Sequence, residues 1–366
     1  MSFSCGFVGL PNVGKSTLFN ALCKGGAEAA NFPFCTIEPN TGMVPVPDSR
    51  LQVLSDLEKS GRIVPSVLKF IDIAGLVKGA SQGQGLGNQF LGHIRGVDAV
   101  AHVVRMFGDP DVVRVEGSHD AEDDLDVIMT ELMLADIEVL ERRRDRAHKQ
   151  ARTADADAKF EYNLILDLLK QLSEGRRPEY DKNDPKTAGI VNTLQLLSVM
   201  PAFICANTDE NTFVNFEDSE GGKRLMEYGA EHGMEVVPVS AKLESELSEL
   251  EPEEAAMFME ELGIKETGLT KVIHTGYRLL DYITFFTAGP MESRAWTVQR
   301  GALAPEAAGK IHTDLCRGFI RMETVSYEDM VTYGGWNAAK EAGKLRIEGK
   351  EYQVQDGDVI HVRFSV

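Results

Sequence analysis

The hydrophobic positions of this chain change texture three times. Early on, and again past the middle, short apolar runs stand between Gly, Pro and polar residues. They are FSCGFVGL at 3–10, SVLKFIDIAGL at 66–76, GVDAVAHVVRMF at 96–107, PAFICAN at 201–207 and MEVVPVSA at 234–241. Such runs suit parallel strands covered on both faces. Helical stretches separate them, which predicts an α/β, doubly wound sheet. Residues 125–200 follow another period. Leu125, Ile128, Leu132, Ala135 and Val139 recur at helical spacing, as do Phe160, Leu164, Leu168 and Leu172. The pattern predicts a helical, coiled-coil-like insertion over 128–199, dividing the α/β domain into 1–127 and 200–280. From 281 to 366 the texture becomes short alternating segments: RAWTVQRG, GFIRMETV, KLRIEGKEYQV and DVIHVRFSV. With one helix signal in APEAAGKIHTDLCRGF, this predicts a small, separate mixed domain.

The first apolar run leads into GLPNVGKS, which fits Gly9-x-x-x-x-Gly14-Lys15-Ser16 between a predicted strand and a predicted helix. Glycine lets the backbone of Asn12, Val13 and Gly14 wrap close to phosphates, and the helix N-terminus adds a favourable dipole. Lys15 is expected on the β- and γ-phosphates, the Ser16 hydroxyl on Mg²⁺, and Thr17 on the α-phosphate side. Thr36, in FPFCTIEPN, is a candidate switch threonine for Mg²⁺ and the γ-phosphate. In FIDIAG, Asp72 would hold a magnesium-bound water and the Gly75 N–H would sense the γ-phosphate. Ser240 and Ala241, in PVSAK, would bring backbone N–H groups to the base. Leu76 follows Gly75 and cannot orient a water, so turnover is expected to be slow.

Composition narrows the class. Apolar residues make up 43% and the net charge is −19, an ordinary globular balance that disfavours nucleic-acid binding through bulk charge. The five cysteines are scattered, with no Cys-x-x-Cys pair, which suits a reducing compartment rather than a zinc or disulfide framework. No apolar run approaches the ~18 residues of a membrane span. The expected location is cytoplasmic, with no membrane partner, and the expected state is a monomer.

GLPNVGKST, NFPFCTIEPN, DIAGLVKGASQGQGLGNQFL, ALAPEAAGKIHTD and VQDGDVIHVRF together resemble the YchF group of Obg-like ATPases, over essentially the whole chain. The resemblance implies an Obg-type P-loop NTPase domain, a helical insertion and a C-terminal TGS domain of β-grasp fold. It also implies a preference for ATP over GTP and association with ribosomes. The family uses a histidine after the fourth strand to position water, and here that position is Arg114. Either Arg114 stabilises γ-phosphate charge, or His119 substitutes, or activity is lower. Asn12 is similar to an Asn that accompanies K⁺-assisted hydrolysis in related enzymes. Phe107 is similar to a family residue placed to stack on the adenine ring, with core packing as the alternative.

The base reader is unusual. In FICANTDEN, Asn207 stands where a guanine-binding Asn-Lys-x-Asp would begin, but Thr208 replaces the Lys and Glu210 the Asp. Guanine offers two donors that a well-placed Asp accepts as a pair, and adenine offers neither. Glu210 is longer by one methylene, while Asn207 can both give and accept at adenine N6 and N7. The loop therefore reads as rebuilt for adenine. Three functions remain open: a regulatory ATPase cycling on the ribosome, a ribosome-assembly GTPase, and a nucleotide-gated adaptor. The basic run ERRRDRAHKQAR at 141–152 is either a solvated helix face or an RNA-facing patch. The TGS region offers RNA or protein contact.

Overall fold

The computed structural model describes residues 3–29, 40–73, 86–108, 119–152 and 155–365. Among them the strands are β1 Ser4–Val8, β2 Thr41–Pro45, β3 Ile63–Val64, β4 Val67–Asp72, β5 Ala99–Met106 and β6 Ala202–Thr208. They continue as β7 Val236–Val239, β8 Tyr282–Thr287, β9 Ser293–Gln299, β10 Phe319–Ser326, β11 Arg346–Glu348 and β12 Asp358–Phe364. The first sheet has the order β2-β4-β1-β5-β6-β7. All its pairings are parallel except β2 with β4. The five expected runs form β1, β4, β5, β6 and β7. Every residue of β1 and β6 is buried, as a strand covered on both faces requires. The sequence reading missed β2, an edge strand of Thr-Gly-Met-Val-Pro in which only alternate residues are buried. Its Pro45 is tolerated because an edge strand need not donate on its open side.

The insertion does not begin at 128. A single helix runs Ala121–Ala151, with Asp120 as its cap. Its first half packs Leu125, Ile128, Met129, Leu132 and Ala135 into the core of the first sheet. Further along, Leu140 and Ala147 are buried in a second core with helices Ala156–Ser173 and Pro185–Leu194, through Ile165, Leu168, Leu172 and Val191, and Ile137 and Val139 pack against it. The boundary at 127/128 thus falls inside a helix whose apolar stripe changes partner midway. Asp136, fully buried, accepts from Leu197 N (2.8 Å), Ser198 N (2.8 Å) and Ser198 Oγ (2.6 Å), fastening this helix to the turn before β6.

The C-terminal sheet has the order β11-β10-β12-β8-β9-β3, and its last strand corrects the expected domain division. β3 lies within 1–127 in sequence, yet it pairs parallel with β9, Ile63 opposite Ser293 and Val64 opposite Arg294. The helix Ser49–Glu58, just before it in the chain, enters the same unit, burying Leu51 and Leu54 against Phe286, Ala295, Val325, Met330 and Val359. Arg50 joins Asp48 (2.8 Å) to Asp356 (2.7 Å) and lies 5.2 Å over the Phe286 ring. Residues 48–64 therefore belong to the C-terminal core, which is not separate in the way that 281–366 implied. The segment APEAAGKIHTDLCRGF, read as one helix, forms two, Ala304–Ile311 and Thr313–Arg317, and the short helices Tyr327–Tyr333 and Trp336–Glu341 were not expected, being too short to establish a 3.6-residue period.

Candidate nucleotide site

Parallel strands bring the C-terminal ends of β1, β4, β5, β6 and β7 to one edge of the first sheet, where ligands of open α/β sheets bind. The phosphate loop is shaped by close approach. Gly14 has φ 87°, and a Cβ there would lie 2.1 Å from Asn207 Nδ2. A Cβ on Gly9 would lie 2.6 Å from the Val103 carbonyl. Asn12 has φ 64°, a left-handed conformation that Asn adopts more readily than most residues. The helix Lys15–Ala29 opens directly from this loop, with Leu18 N donating to Gly14 O at 3.0 Å.

Lys15 is buried and forms an ion pair with Asp72 at the end of β4. The Ser16 hydroxyl donates to the other Asp72 oxygen at 2.9 Å, and Thr17 is exposed beside it. Three expected phosphate and metal residues are thus already assembled by the fold. Thr36, Gly75, Leu76 and Arg114 lie outside the described residues. His119 is exposed, and its backbone N–H donates to Asp123 Oδ2 at 2.9 Å, just before the helix cap at Asp120.

The base side differs from the sequence reading in one respect. Asn207 is 2% exposed and both ends of its amide are engaged by backbone. Nδ2 donates to Val13 O at 2.8 Å, and Oδ1 accepts from Ala241 N at 3.0 Å. Asn207 therefore braces the phosphate loop against the loop after β7; one amide hydrogen and one oxygen lone pair are left for a base. Thr208 points inward and donates to Val239 O at 3.1 Å. Asp209 is spent as a helix cap, accepting from Thr212 N at 2.9 Å. Glu210 accepts from Lys242 Nζ at 2.9 Å, and Glu246 stands 3.8 Å from the same ammonium. Ser240 caps the helix Ala241–Leu247. Phe107 is half-buried, with the Arg105 guanidinium 4.6 Å over its ring.

Sequence reasoning missed Lys242 as the partner of Glu210 and missed Glu244 altogether; an acid two residues beyond Lys242 carries no local signal. Glu244 is 5% exposed and accepts from Leu269 N at 3.1 Å, at the start of the helix Gly268–Leu279 that leads into β8. Burial pushes its carboxyl up to about 7 from 4.5, against the opposing backbone N–H groups of Leu269 and Gly268. Between those values the folded chain keeps a proton that the unfolded chain has lost, so this group's contribution to stability falls as pH rises through the window and is flat above it. Denaturation measured between about pH 5 and about pH 8 should show that decline, and Glu244→Gln should flatten it. An unchanged slope in the variant would assign the decline to another group.

The sheet order, phosphate loop and base-edge loops define a P-loop nucleotide-binding protein of the G-domain class. Residues 4–143 match the family described as 50S ribosome-binding GTPase, and residues 282–365 match the YchF-GTPase C-terminal family, described as a protein of unknown function. The chain belongs to the YchF family. It is 52% identical over 370 residues to the ribosome-binding ATPase YchF of Bacillus subtilis, covering 100% of both chains. It is 51% identical over 366 residues to that of Haemophilus influenzae, again with 100% of both covered. The structure of the Schizosaccharomyces pombe YchF GTPase is 37% identical and matches with a TM-score of 0.89, over 99% of this chain and 98% of that one. Among the described residues no helix is long and apolar enough to cross a membrane.

Proposed function

We propose that this chain is a cytoplasmic, ribosome-associated ATPase that hydrolyses ATP slowly, prefers it to GTP, and uses the nucleotide cycle as a switch. Two relatives named as ribosome-binding ATPases support the activity and the partner. The observation that carries the base preference is the Lys242–Glu210 pair. A carboxylate tied to an ammonium is a poor acceptor for the two guanine donors, and the neighbouring acid, Asp209, is committed to its helix cap.

The phosphate chemistry follows from groups already in position. The Ser16 hydroxyl and the Asp72 carboxylate offer hard oxygens 2.9 Å apart, a pair that fits Mg²⁺, with Ser16 and Thr36 as its ligands and Asp72 holding a bound water. Bound Mg²⁺ would neutralise charge on the β- and γ-phosphates. Lys15 exchanges Asp72 for phosphate oxygens, and the N–H groups of Val13 and Gly14 face the same anion. Gly75 senses the γ-phosphate, and Arg114 is the candidate for positioning water or stabilising charge. Asn12 supports a bound K⁺ in the role an arginine finger plays elsewhere. Phe107, Ser240 and Ala241 border the adenine.

Contact with ribosomal RNA is supported by the insertion. Arg142, Arg146 and Lys149 are exposed at i, i+4 and i+7 on the long helix, one face of a helix. Their neighbours Arg143 and Arg144 are occupied by Glu161 and by Glu141 and Asp145. Competition binding tests the nucleotide reading: ATP should displace GTP at equal concentration, and Lys242→Met should shift the ratio a few-fold toward GTP. Equal competition by the wild type would remove the adenine preference. Phosphate release should require Mg²⁺ and run faster in K⁺ than in Na⁺; equal rates in the two salts would remove the K⁺ role.

A further inference from the structure

The parallel strands have a second edge. At the N-terminal ends of β6 and β7, opposite the nucleotide loops, lies a cleft of about 1150 Å³ between the root of the insertion and the helix Glu220–Glu231. Arg177 lines it and is half-buried. Its guanidinium donates to Met200 O at 3.0 Å and His232 O at 3.3 Å, the backbone just before β6 and β7. Both acceptors are neutral. Among the described residues no carboxylate pairs with it, and burial pushes its pKa below the usual guanidinium range with only the Tyr180 hydroxyl opposing. The Glu179 and Glu231 carboxylates on the same walls are exposed, and the third, Asp126, accepts from the Tyr228 hydroxyl at 2.8 Å.

A cation partly removed from water without a counter-charge is costly unless something offsets it. Guanidinium is the side-chain group best matched to planar and tetrahedral oxyanions. Beneath it, His102 is 1% exposed and its Nδ1 has no hydrogen-bond partner. Burial and the Arg177 charge lower that ring to about 4, so it is neutral. The void joining the two side chains is about 10 Å³, room for about one water and no more. The ligand space is therefore above Arg177, in the cleft itself. There Lys182 stands exposed, with no ion pair among the described residues, and Tyr228 stacks on His232 with centroids 4.0 Å apart and planes at 17°.

We propose that this cleft is a second anion site, which takes the phosphate of a small phosphorylated molecule on Arg177, with Lys182 as a further cation and the Tyr228–His232 stack beside any planar ring. The site is independent of the phosphate loop, lying at the other ends of the strands.

The test uses the full chain with its phosphate loop filled by a non-hydrolysable ATP analogue. Calorimetric titrations with inorganic phosphate and with uridine monophosphate should each report one saturable site. Tighter binding of the nucleotide would show that the aromatic wall holds a ring, and equal binding that phosphate alone is recognised. Arg177→Met should weaken binding by about tenfold or more, the scale of a lost hydrogen bond to a charged group. Lys182→Met leaves the Arg177 clamp intact and should weaken it by about threefold, as expected for an exposed charge. Affinity for the ATP analogue should be unchanged in both. Absence of saturable binding by the wild type, or full wild-type affinity in both variants, overturns the proposal.

Discussion

Replacing Lys15 with alanine should lower single-turnover ATP hydrolysis by about 10²- to 10³-fold, the scale on which removing one preorganised charge-stabilising donor acts. The reason is visible before any nucleotide arrives. Lys15 is 8% exposed, and its ammonium is held at the phosphate loop by Asp72. Little reorganisation is needed to turn it from that carboxylate to phosphate oxygens. In the variant, Asp72 keeps only the Ser16 hydroxyl and faces the incoming phosphates as an uncompensated negative charge. Nucleotide affinity should therefore fall together with the chemical step. Phosphate release at saturating enzyme, with circular dichroism confirming the fold, checks this. A loss of less than about threefold would mean that another cation carries the role.

Leu54→Ala should destabilise the C-terminal unit by about 2–5 kcal/mol, the range for a large-to-small change in a closed core. Leu54 is fully buried among Phe286, Ala295, Val325, Met330 and Val359. Both tryptophans of the chain, Trp296 and Trp336, lie beside or within this unit. Trp336 packs against the same cluster and its backbone N–H donates to Glu58 at 2.7 Å. A substitution at position 54 should thus shift the unfolding transition seen by tryptophan fluorescence. If that transition stays where it is and only nucleotide binding weakens, the helix Ser49–Glu58 belongs to the nucleotide domain after all.

The contrast between these two residues explains how much was legible beforehand. Lys15 stands in a strand–loop–helix whose geometry is local: glycine spacing, helix start and lysine sit within one short segment. The places of Asp72 and Ser240, each at the end of a strand, were readable for the same reason. Leu54 carries no such mark. Its helix is a modest apolar pattern between two strands, and nothing in it says which core it enters. The two residues of β3 are shorter than any period, and their partner β9 is far away in the chain.

The same division runs through the nucleotide site. The order of short buried runs and the phosphate-loop spacing are written in the chain, because backbone conformation and burial on both faces depend on neighbouring residues. Which side chains are spent on one another is not written there. Asn207 reads as a base contact alone, and folding also sets it against Val13 and Ala241. Glu210 reads as a displaced acceptor until Lys242 is found beside it. The long helix reads as an insertion until its first half is found in the sheet's core. These are pairings between distant segments, and an apolar face or a charge specifies the kind of partner it needs but not the address. The closed fold supplies the address.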